Sequence, residues 1–301
     1  MYYRSLNEEL REKFGEKLYK LALDGGFTCP NRDGTIGSRG CTFCLGGSGS
    51  FAEGQCASVS EQIERAKRRV EKKNPSGKYI AYFQSYTNTY APAERLKALF
   101  GEAIAHPDIA ALSVGTRPDC LPPEVLELLA RLNKIKPVWV ELGLQTIHEQ
   151  TAEKIRRGYD LSVFDKAVKN CKAAGLYTVV HMIIGLPGET PEMAAQTAGY
   201  IGKSGADGIK LQLLHVLRGT DMAEQYAAGE FEVMSMEEYI SALEECVRRL
   251  PPQMTVHRLT GDGDKKYLIA PLWSADKKRV LNAVNGAFRR DNVVQGEHYE
   301  V

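Results

Sequence analysis

Short apolar runs alternate with longer amphipathic stretches along most of this chain, and that alternation constrains its fold more than any other feature. The predicted strands are Leu18–Leu23, Tyr79–Gln84, Ile109–Val114, Val138–Leu144, Tyr177–Ile184 and Gly208–Leu214. The predicted helices between them are Ser60–Lys72, Ala93–Ala105, Pro123–Leu132, Ser162–Ala174 and Glu192–Lys203. Repeated strand–helix units of this kind favour an α/β fold with a parallel sheet.

Six strand–helix units are too few to close the eight-stranded barrel of the TIM fold. The sequence therefore predicts an open, TIM-like partial (β/α)6 barrel over residues 18–220, after an N-terminal segment of residues 1–17. Residues 221–301 are predicted to form a C-terminal extension that caps the barrel. The elements predicted in that extension are a helix at Ser235–Leu250, a short strand at Met254–His257 and a last helix at Asp276–Phe288.

Charge and hydropathy exclude some classes of protein. The net charge of +1 gives no strongly basic surface, which a dedicated nucleic-acid-binding protein usually has. No apolar run reaches the ~18 residues that a membrane span needs, and the polar N-terminus is unlike a signal peptide. We therefore expect a cytoplasmic protein whose seven cysteines are reduced.

Three of those cysteines, Cys29, Cys41 and Cys44, lie on a glycine-rich loop directly after the first predicted strand. Long ordered loops are usually functional. A structural zinc site would need a fourth ligand, and the nearest cysteine, Cys56, is twelve residues further on. Three buried, unpaired thiols are the second alternative, although such loops are usually exposed. A 4Fe–4S cluster with three protein ligands, which leaves one iron open, is the third.

A three-cysteine loop at the carboxyl end of the first barrel strand resembles the radical S-adenosylmethionine (SAM) superfamily. The usual spacing there is Cys-x3-Cys-x2-Cys; here the first gap is eleven residues, while Cys-x2-Cys with Phe43 is kept. The run from Leu23 to Gly34 resembles the YhcC-type subgroup. That subgroup is related to the radical-SAM domain of the Elongator catalytic subunit and to oxygen-independent coproporphyrinogen oxidases. The resemblance extends over nearly the whole chain.

The resemblance implies that Cys29, Cys41 and Cys44 hold a 4Fe–4S cluster whose open iron binds SAM. Such an enzyme generates a 5′-deoxyadenosyl radical that takes a hydrogen atom from the substrate. It also needs an external one-electron reductant such as flavodoxin or ferredoxin. A non-catalytic iron–sulfur or zinc module, for example an electron carrier, is the alternative from another class of protein.

SAM contacts are implied at the ends of several strands, where barrel enzymes build their active sites. The polar run with Gln84, Tyr86 and Asn88 follows the second strand, where the superfamily often binds the methionine amino group; a solvated loop is the alternative. On the fifth strand, one segment resembles the superfamily's adenine-binding segment. The residues of that segment are Ile183, Gly185 and Leu186.

The fourth strand places Glu141, Gly143 and Gln145 on one face. The resemblance implies that Glu141 and Gln145 bind the ribose of SAM, whereas the structural alternative pairs Glu141 with Lys210. Arg157 is implied to bind the SAM carboxylate, and a solvated arginine at a helix end is the alternative.

Inward-facing polar residues on the sixth strand indicate a cavity rather than a filled barrel. The candidate substrate contacts are Cys120, His181, Lys210, Gln212, His215, Arg218 and Trp273. The first hypothesis is a small nucleobase-like substrate, and a lyase that releases a 7-deazaguanine base from queuine is its most specific form. Tyr82, Tyr86 and Trp273 are candidates for stacking on such a base.

The second hypothesis is a tRNA-modifying enzyme. Residues 248–301 contain ten Lys and Arg against six Asp and Glu, which makes a weak basic patch. Nucleic acid is therefore a possible substrate, although the overall charge favours a small molecule. The sequence assigns no catalytic acid or base.

Overall fold

Seven parallel strands form one sheet, in the order β1-β2-β3-β4-β5-β6-β8. The computed structural model describes residues 2–46, 52, 58–74, 77–261 and 263–300. The strands are β1 (Tyr19–Leu23), β2 (Tyr79–Phe83), β3 (Ile109–Thr116), β4 (Val138–Gln145), β5 (Tyr177–Ile184), β6 (Gly208–Leu213), β7 (Val216–Leu217), β8 (Thr255–Arg258) and β9 (Leu268–Ala270). Strands β7 and β9 form a separate antiparallel pair.

Helices alternate with the strands of the sheet. The helices are α1 (Leu6–Phe14), α2 (Val59–Arg68), α3 (Ala93–Ala105), α4 (Pro123–Asn133), α5 (Glu149–Lys154), α6 (Leu161–Ala173), α7 (Pro191–Lys203), α8 (Asp221–Ala227), α9 (Met236–Arg248) and α10 (Lys277–Arg290). Local signals set their ends. Helix α9, for example, begins at a capping box in which Ser235 and Glu238 satisfy each other's backbone N–H groups.

The sheet has one strand more than the sequence predicts. The six predicted strands are all present, and the segment predicted as Met254–His257 forms β8, which pairs with β6. The predicted open, TIM-like partial barrel is therefore confirmed, and β8 adds a seventh strand to its sheet. A four-residue strand carries too little pattern to reveal which partner it joins, since pairing is a long-range property. The predicted domain boundaries at residues 17 and 220 stay predictions.

The sheet is curled, as the contacts between side chains of distant strands on its inner face show. Lys20 of β1 and Lys210 of β6 both contact Glu141 of β4. The outer face is apolar and packs under the helices; Phe83 of β2, for example, lies against Phe100 of α3. The inner face is polar, so the interior of this partial barrel can hold a ligand.

The N-terminal segment closes the amino-terminal end of the barrel. Leu10 of α1 packs with Leu18, Ile80, Ala111 and Trp139 in a small apolar cluster. This cluster lies opposite the carboxyl ends of the strands, where barrel enzymes build their active sites. No helix within the described ranges is both long and apolar enough to cross a membrane.

Candidate functional site

Three cysteine side chains face one cavity at the carboxyl ends of the strands. Cys29, Cys41 and Cys44 are half-buried free thiols, and all three line a cavity of about 260 Å³. Gln84 and Gln145, at the ends of β2 and β4, line the same cavity. Burial raises the pKa of Cys41 to about 11, with the neighbouring Cys44 adding to the shift. A metal bound here would have to displace that proton.

The cluster loop, residues 24–46, docks on the turn of residues 155–158 that follows α5. The backbone N–H of Thr42 donates to Ile155 O at 3.1 Å. Arg156 Nε donates to Gly40 O at 3.0 Å, and Asn31 Nδ2 donates to Arg156 O at 2.6 Å. Arg156 has a positive φ of 55°, which turns its carbonyl towards the loop. This turn therefore fixes the positions of the cysteines.

Arg157 anchors that turn from inside the protein. It is only 2% exposed, and its guanidinium donates to Tyr159 O, to Thr146 O and to both carboxylate oxygens of Glu149, at 2.7 to 3.1 Å. Its own carbonyl accepts a hydrogen bond from Arg117 Nη1 at 2.9 Å. Arg157 is therefore not a solvated arginine at a helix end, which was the alternative interpretation of the sequence. Binding of the SAM carboxylate by Arg157, which lines the cluster cavity, stays a prediction and would compete with these bonds.

We expect the conservative substitution Arg157→Lys to destabilise the metal-free chain by about 2–4 kcal/mol, because a lysine cannot reproduce the fork of guanidinium donors. Urea unfolding would measure the loss. The matched control is Arg249→Lys. Arg249 makes an exposed pair of hydrogen bonds with Glu192, so this substitution should lower the free energy of unfolding by less than about 1 kcal/mol. Unchanged stability together with weaker SAM binding would instead favour the predicted carboxylate contact.

Glu141 is the centre of a buried polar network on the inner face of the sheet. Its Oε1 accepts from Lys20 Nζ at 2.5 Å and from Ser113 Oγ at 2.6 Å. Its Oε2 accepts from His181 Nε2 at 2.7 Å and from Lys210 Nζ. The pairing of Glu141 with Lys210, given by the sequence as the structural alternative, is therefore present. A ribose contact by Glu141 stays a prediction. It would compete with the hydrogen bonds that both carboxylate oxygens already accept.

Burial and neighbouring charges shift the pKa values in this network. Burial alone would raise the pKa of Glu141, but Lys20, Lys210 and His181 hold it well below its usual range. Burial lowers the pKa of Lys210 to about 7, although Glu141 opposes the shift. Burial and then Lys210 lower the pKa of His181 to about 4. The network thus places a lysine that titrates near neutral pH beside the interior cavity.

The low pKa of His181 predicts a pH-dependent stability. Glu141 faces this imidazole, and Lys210 and Arg258 contribute positive charge nearby. Between its unfolded pKa of about 6.5 and its folded pKa of about 4, the unfolded chain binds a proton here that the folded chain does not. The free energy of unfolding should therefore fall as the pH falls through this window. Urea unfolding at pH 6.5 and pH 5 should show a smaller loss in His181→Gln than in the wild type.

The control for that comparison is His298→Gln, at a half-exposed histidine near the carboxyl terminus. This variant should lose stability with falling pH as the wild type does. An equal pH dependence of wild type and His181→Gln would contradict the assignment of the effect to His181.

A second cavity, of about 340 Å³, lies beside the cluster cavity. The residues that line both cavities are Phe43, Tyr82, Gln84, Gln145 and His181. His215 forms part of its wall, and the loop after β8 lies on its ring: a Cβ built on Gly261 or on Gly263 would come within 2.4 or 2.7 Å of that ring. Only glycine fits at these two positions, so the backbone itself lines this side of the cavity.

The predicted SAM residues fall into two groups. Gln84, Tyr86 and Gln145 line the cluster cavity, and the buried Oε1 of Gln145 has no hydrogen-bond partner within the described part of the chain. Asn88 is instead fully buried, where its Nδ2 donates to Gly115 O at 2.8 Å and fixes the loop after β2. Its Oδ1 is buried without a hydrogen-bond partner among the described residues, and a SAM contact by Asn88 stays a prediction.

The predicted adenine segment is only partly exposed to a cavity. Ile183 lines the second cavity. Leu186 is buried in an apolar cluster with Ile155 and Met222, and Gly185, with a φ of 88°, lies under Met234. A contact between this segment and SAM stays a prediction.

The predicted substrate contacts also divide. His181, Lys210, Gln212 and His215 line the second cavity. Three others, Cys120, Arg218 and Trp273, are not among the described residues that line it. The four residues that line the second cavity have neighbouring places in the sheet, because they lie on β5, on β6 or just after β6.

Arg218 is exposed, and its backbone N–H donates to Tyr267 O, next to β9, at 2.7 Å. Cys120 is buried beside Asp119, and burial raises its pKa strongly. Trp273 packs on Tyr239 and donates its indole N–H to Met234 O at 3.0 Å, because a partly buried indole needs an acceptor. Substrate contacts by these three residues stay predictions.

Sequence reasoning missed several residues of the site. Lys20 and Ser113 bind Glu141, and Arg258 lines the second cavity. Lys20 had a usable signal, because alternation in β1 separates it from the outward-facing Leu21 and Leu23. Arg258 had none, since it reaches the site only through the unexpected pairing of β8. Cys56 lies outside the described residues.

Comparison with known proteins gives two family matches. The family described as "Radical SAM superfamily" matches residues 33–201, and the one described as "Radical_SAM C-terminal domain" matches residues 206–290. The first match alone covers more than half of the chain.

Individual relatives agree with these matches. YtqA of Bacillus subtilis is 44% identical over 99% of this chain and 93% of its own length, and YhcC of Escherichia coli is 39% identical over 89% and 86%. A tRNA uridine(34) acetyltransferase of Methanocaldococcus jannaschii is 30% identical over 50% of this chain but only 28% of its own. The solved structure of Methanocaldococcus infernus Elp3, with an N-terminal deletion, superposes with a TM-score of 0.71 over 92% of this chain and 64% of that one, at 19% identity.

Proposed function

This chain belongs to the radical SAM superfamily, and we propose that it is an enzyme that acts on a nucleobase, with a uridine of tRNA as its preferred substrate. The superfamily uses a 4Fe–4S cluster and SAM. The observation that carries the assignment of the site is the convergence of Cys29, Cys41 and Cys44 on one cavity.

The donor set fits such a cluster. Three thiols on one loop supply three ligands and leave one iron open. Among the described residues that line this cavity, His181 is the one histidine, and its Nε2 is already bonded to Glu141. A four-ligand zinc site is therefore less well supported than a three-cysteine cluster. When bound, the cluster and SAM supply a 5′-deoxyadenosyl radical, which removes a hydrogen atom from the substrate.

The residues of the chain itself bind, orient and shield. We infer that Gln84, Tyr86 and Gln145 contact SAM, because they line the cluster cavity and the buried Gln145 Oε1 has no hydrogen-bond partner among the described residues. Lys210 and Gln212 face the second cavity, where they can orient a substrate by its polar atoms. The shared wall between the two cavities would hold the reacting carbon next to SAM, away from bulk water.

Two observations support tRNA as the substrate. One is the similarity to the tRNA uridine(34) acetyltransferase. The 156 matched residues cover only 28% of that protein, so the similarity does not extend to acetyl transfer. The other is helix α10, whose ends carry exposed basic residues that could contact phosphates. These residues are Lys277, Lys278, Arg279, Arg289 and Arg290.

A free nucleobase such as queuine is the second candidate, with lyase chemistry. The observation that favours it is the pair of aromatic side chains, Phe43 and Tyr82, on the wall shared by the two cavities, against which a flat base in the second cavity can stack. A flavodoxin or ferredoxin is proposed as the electron donor in either case.

Formation of 5′-deoxyadenosine by the anaerobically reconstituted chain tests these candidates. Total tRNA should stimulate it, nuclease-treated tRNA should not, and the stimulation should fall steeply with added salt. Stimulation by queuine in the absence of tRNA would favour the second candidate. No 5′-deoxyadenosine from a chain loaded with iron and SAM and supplied with a one-electron reductant such as dithionite would overturn the proposed function.

A further inference from the structure

Asn31 is a buried polar side chain on the cluster loop, two residues after Cys29. It is 4% exposed, and its Nδ2 lies 3.5 Å from Cys41 Sγ and 2.6 Å from Arg156 O. A carbonyl oxygen and the sulfur of an iron-bound thiolate both accept hydrogen bonds, and neither has a proton to donate. The two N–H bonds of one amide can serve both acceptors, which fixes the orientation of the amide group.

The surroundings of Asn31 hold the amide in this position. A Cβ built on Gly37 would lie 2.8 Å from Asn31 Oδ1, so the loop backbone packs directly on the far side of the amide. The backbone carbonyl of Asn31 also accepts from Gly40 N–H at 2.7 Å. Both the main chain and the side chain of Asn31 are thus fixed relative to Cys41.

We propose that Asn31 sets the reduction potential of the bound cluster through its N–H···S hydrogen bond to Cys41. One-electron reduction adds negative charge to the cluster and its sulfur ligands. A donor aimed at one ligand sulfur stabilises the reduced form more than the oxidised form, which raises the potential. Asn31 is in this sense a positioning residue: it acts on the cluster through Cys41. The inference rests on the proposed cluster ligands and goes beyond them.

Charged groups near the cluster act differently from this amide. Arg117 lines the same cavity and is held by Asp119 at 2.7 Å, so its charge is partly neutralised and reaches more than one sulfur. The amide of Asn31, in contrast, contacts a single cysteine. Removing it should therefore change the potential without changing the charge of the site.

The test compares the reconstituted wild type with Asn31→Leu, which keeps the approximate volume and removes the donor. Redox titration followed by electron paramagnetic resonance should give a more negative midpoint for the variant, with iron still at about four atoms per chain. An unchanged midpoint in an iron-loaded variant would overturn the inference. A wild type that takes up no iron would overturn the proposed cluster site as well, so the two failures are distinguishable.

A control variant separates the hydrogen bond from loosening of the loop. Arg39 lies on the same loop and is held to Asp221 by an exposed ion pair at 2.8 Å, so Arg39→Ala weakens the docking without touching a sulfur. Its midpoint should equal that of the wild type, and an equal shift in both variants would contradict the inference.

A measurement on the wild type covers the case in which Asn31→Leu fails to fold. Pulsed electron paramagnetic resonance on a chain labelled with 15N in its asparagine side chains should detect a coupling between the reduced cluster and one amide nitrogen. The absence of this coupling in a loaded, reduced sample would overturn the inference.

Discussion

Replacing Cys41 by alanine is expected to reduce the iron content of the reconstituted chain from about four atoms to a small fraction of that value. Formation of 5′-deoxyadenosine should fall by more than ~100-fold, since changes in groups that only support a metal ligand already cost 10–100-fold. The loss should be large because the loop offers three thiols, and Cys41 Sγ is held between Asn31 Nδ2 and the carbonyl of Arg156. Iron analysis and chromatography of the nucleoside products measure the two effects.

Cys120→Ala is the matched control. Cys120 is a buried thiol next to Asp119 and lies outside the cluster loop. We expect this variant to bind iron and cleave SAM like the wild type, with at most a modest loss of stability. Full iron content in Cys41→Ala would contradict the three-cysteine site. Loss of turnover in Cys120→Ala with its iron intact would support the substrate contact that the sequence predicts for Cys120.

Local patterns predicted the elements of this fold well, because strand and helix periodicity depends on neighbouring residues alone. Strand β5 at Tyr177–Ile184 and helix α3 at Ala93–Ala105 agree with prediction at both ends. Helix α2 is shorter than predicted and ends at Arg68, with a separate 3-10 turn at Glu71–Lys73. The place of β8 beside β6 was not predictable, since nothing in its four residues names a partner.

In the candidate site, too, local features could be predicted from the sequence and long-range contacts could not. The cysteine spacing is a local feature, and it led directly to the cavity that the three thiols line. The docking of the loop on the turn of residues 155–158 is a tertiary contact between segments more than one hundred residues apart, as in the bond between Asn31 and Arg156. For the same reason, the sequence did not reveal that Arg157 anchors that turn, and its predicted contact with the SAM carboxylate stays a prediction.

Glu141 is the residue whose neutralisation should cost the chain most stability. We expect Glu141→Gln to lower the free energy of unfolding of the metal-free chain by about 3–5 kcal/mol at pH 7, because it leaves Lys20 and Lys210 facing each other without a counter-charge. The loss should be partly offset by deprotonation of Lys210, whose pKa of about 7 would fall further without Glu141. Urea unfolding monitored by circular dichroism gives the value.

A double-mutant cycle separates the ion pair from general damage to the core. Lys210→Met removes one of the two cations, so Glu141→Gln should cost less in that background, with a coupling of at least about 1 kcal/mol. The control is Glu192→Gln, at the exposed pair with Arg249, which should cost less than about 1 kcal/mol. If Glu141→Gln stayed within about 1 kcal/mol of the wild type, the buried network would not be ionised as described.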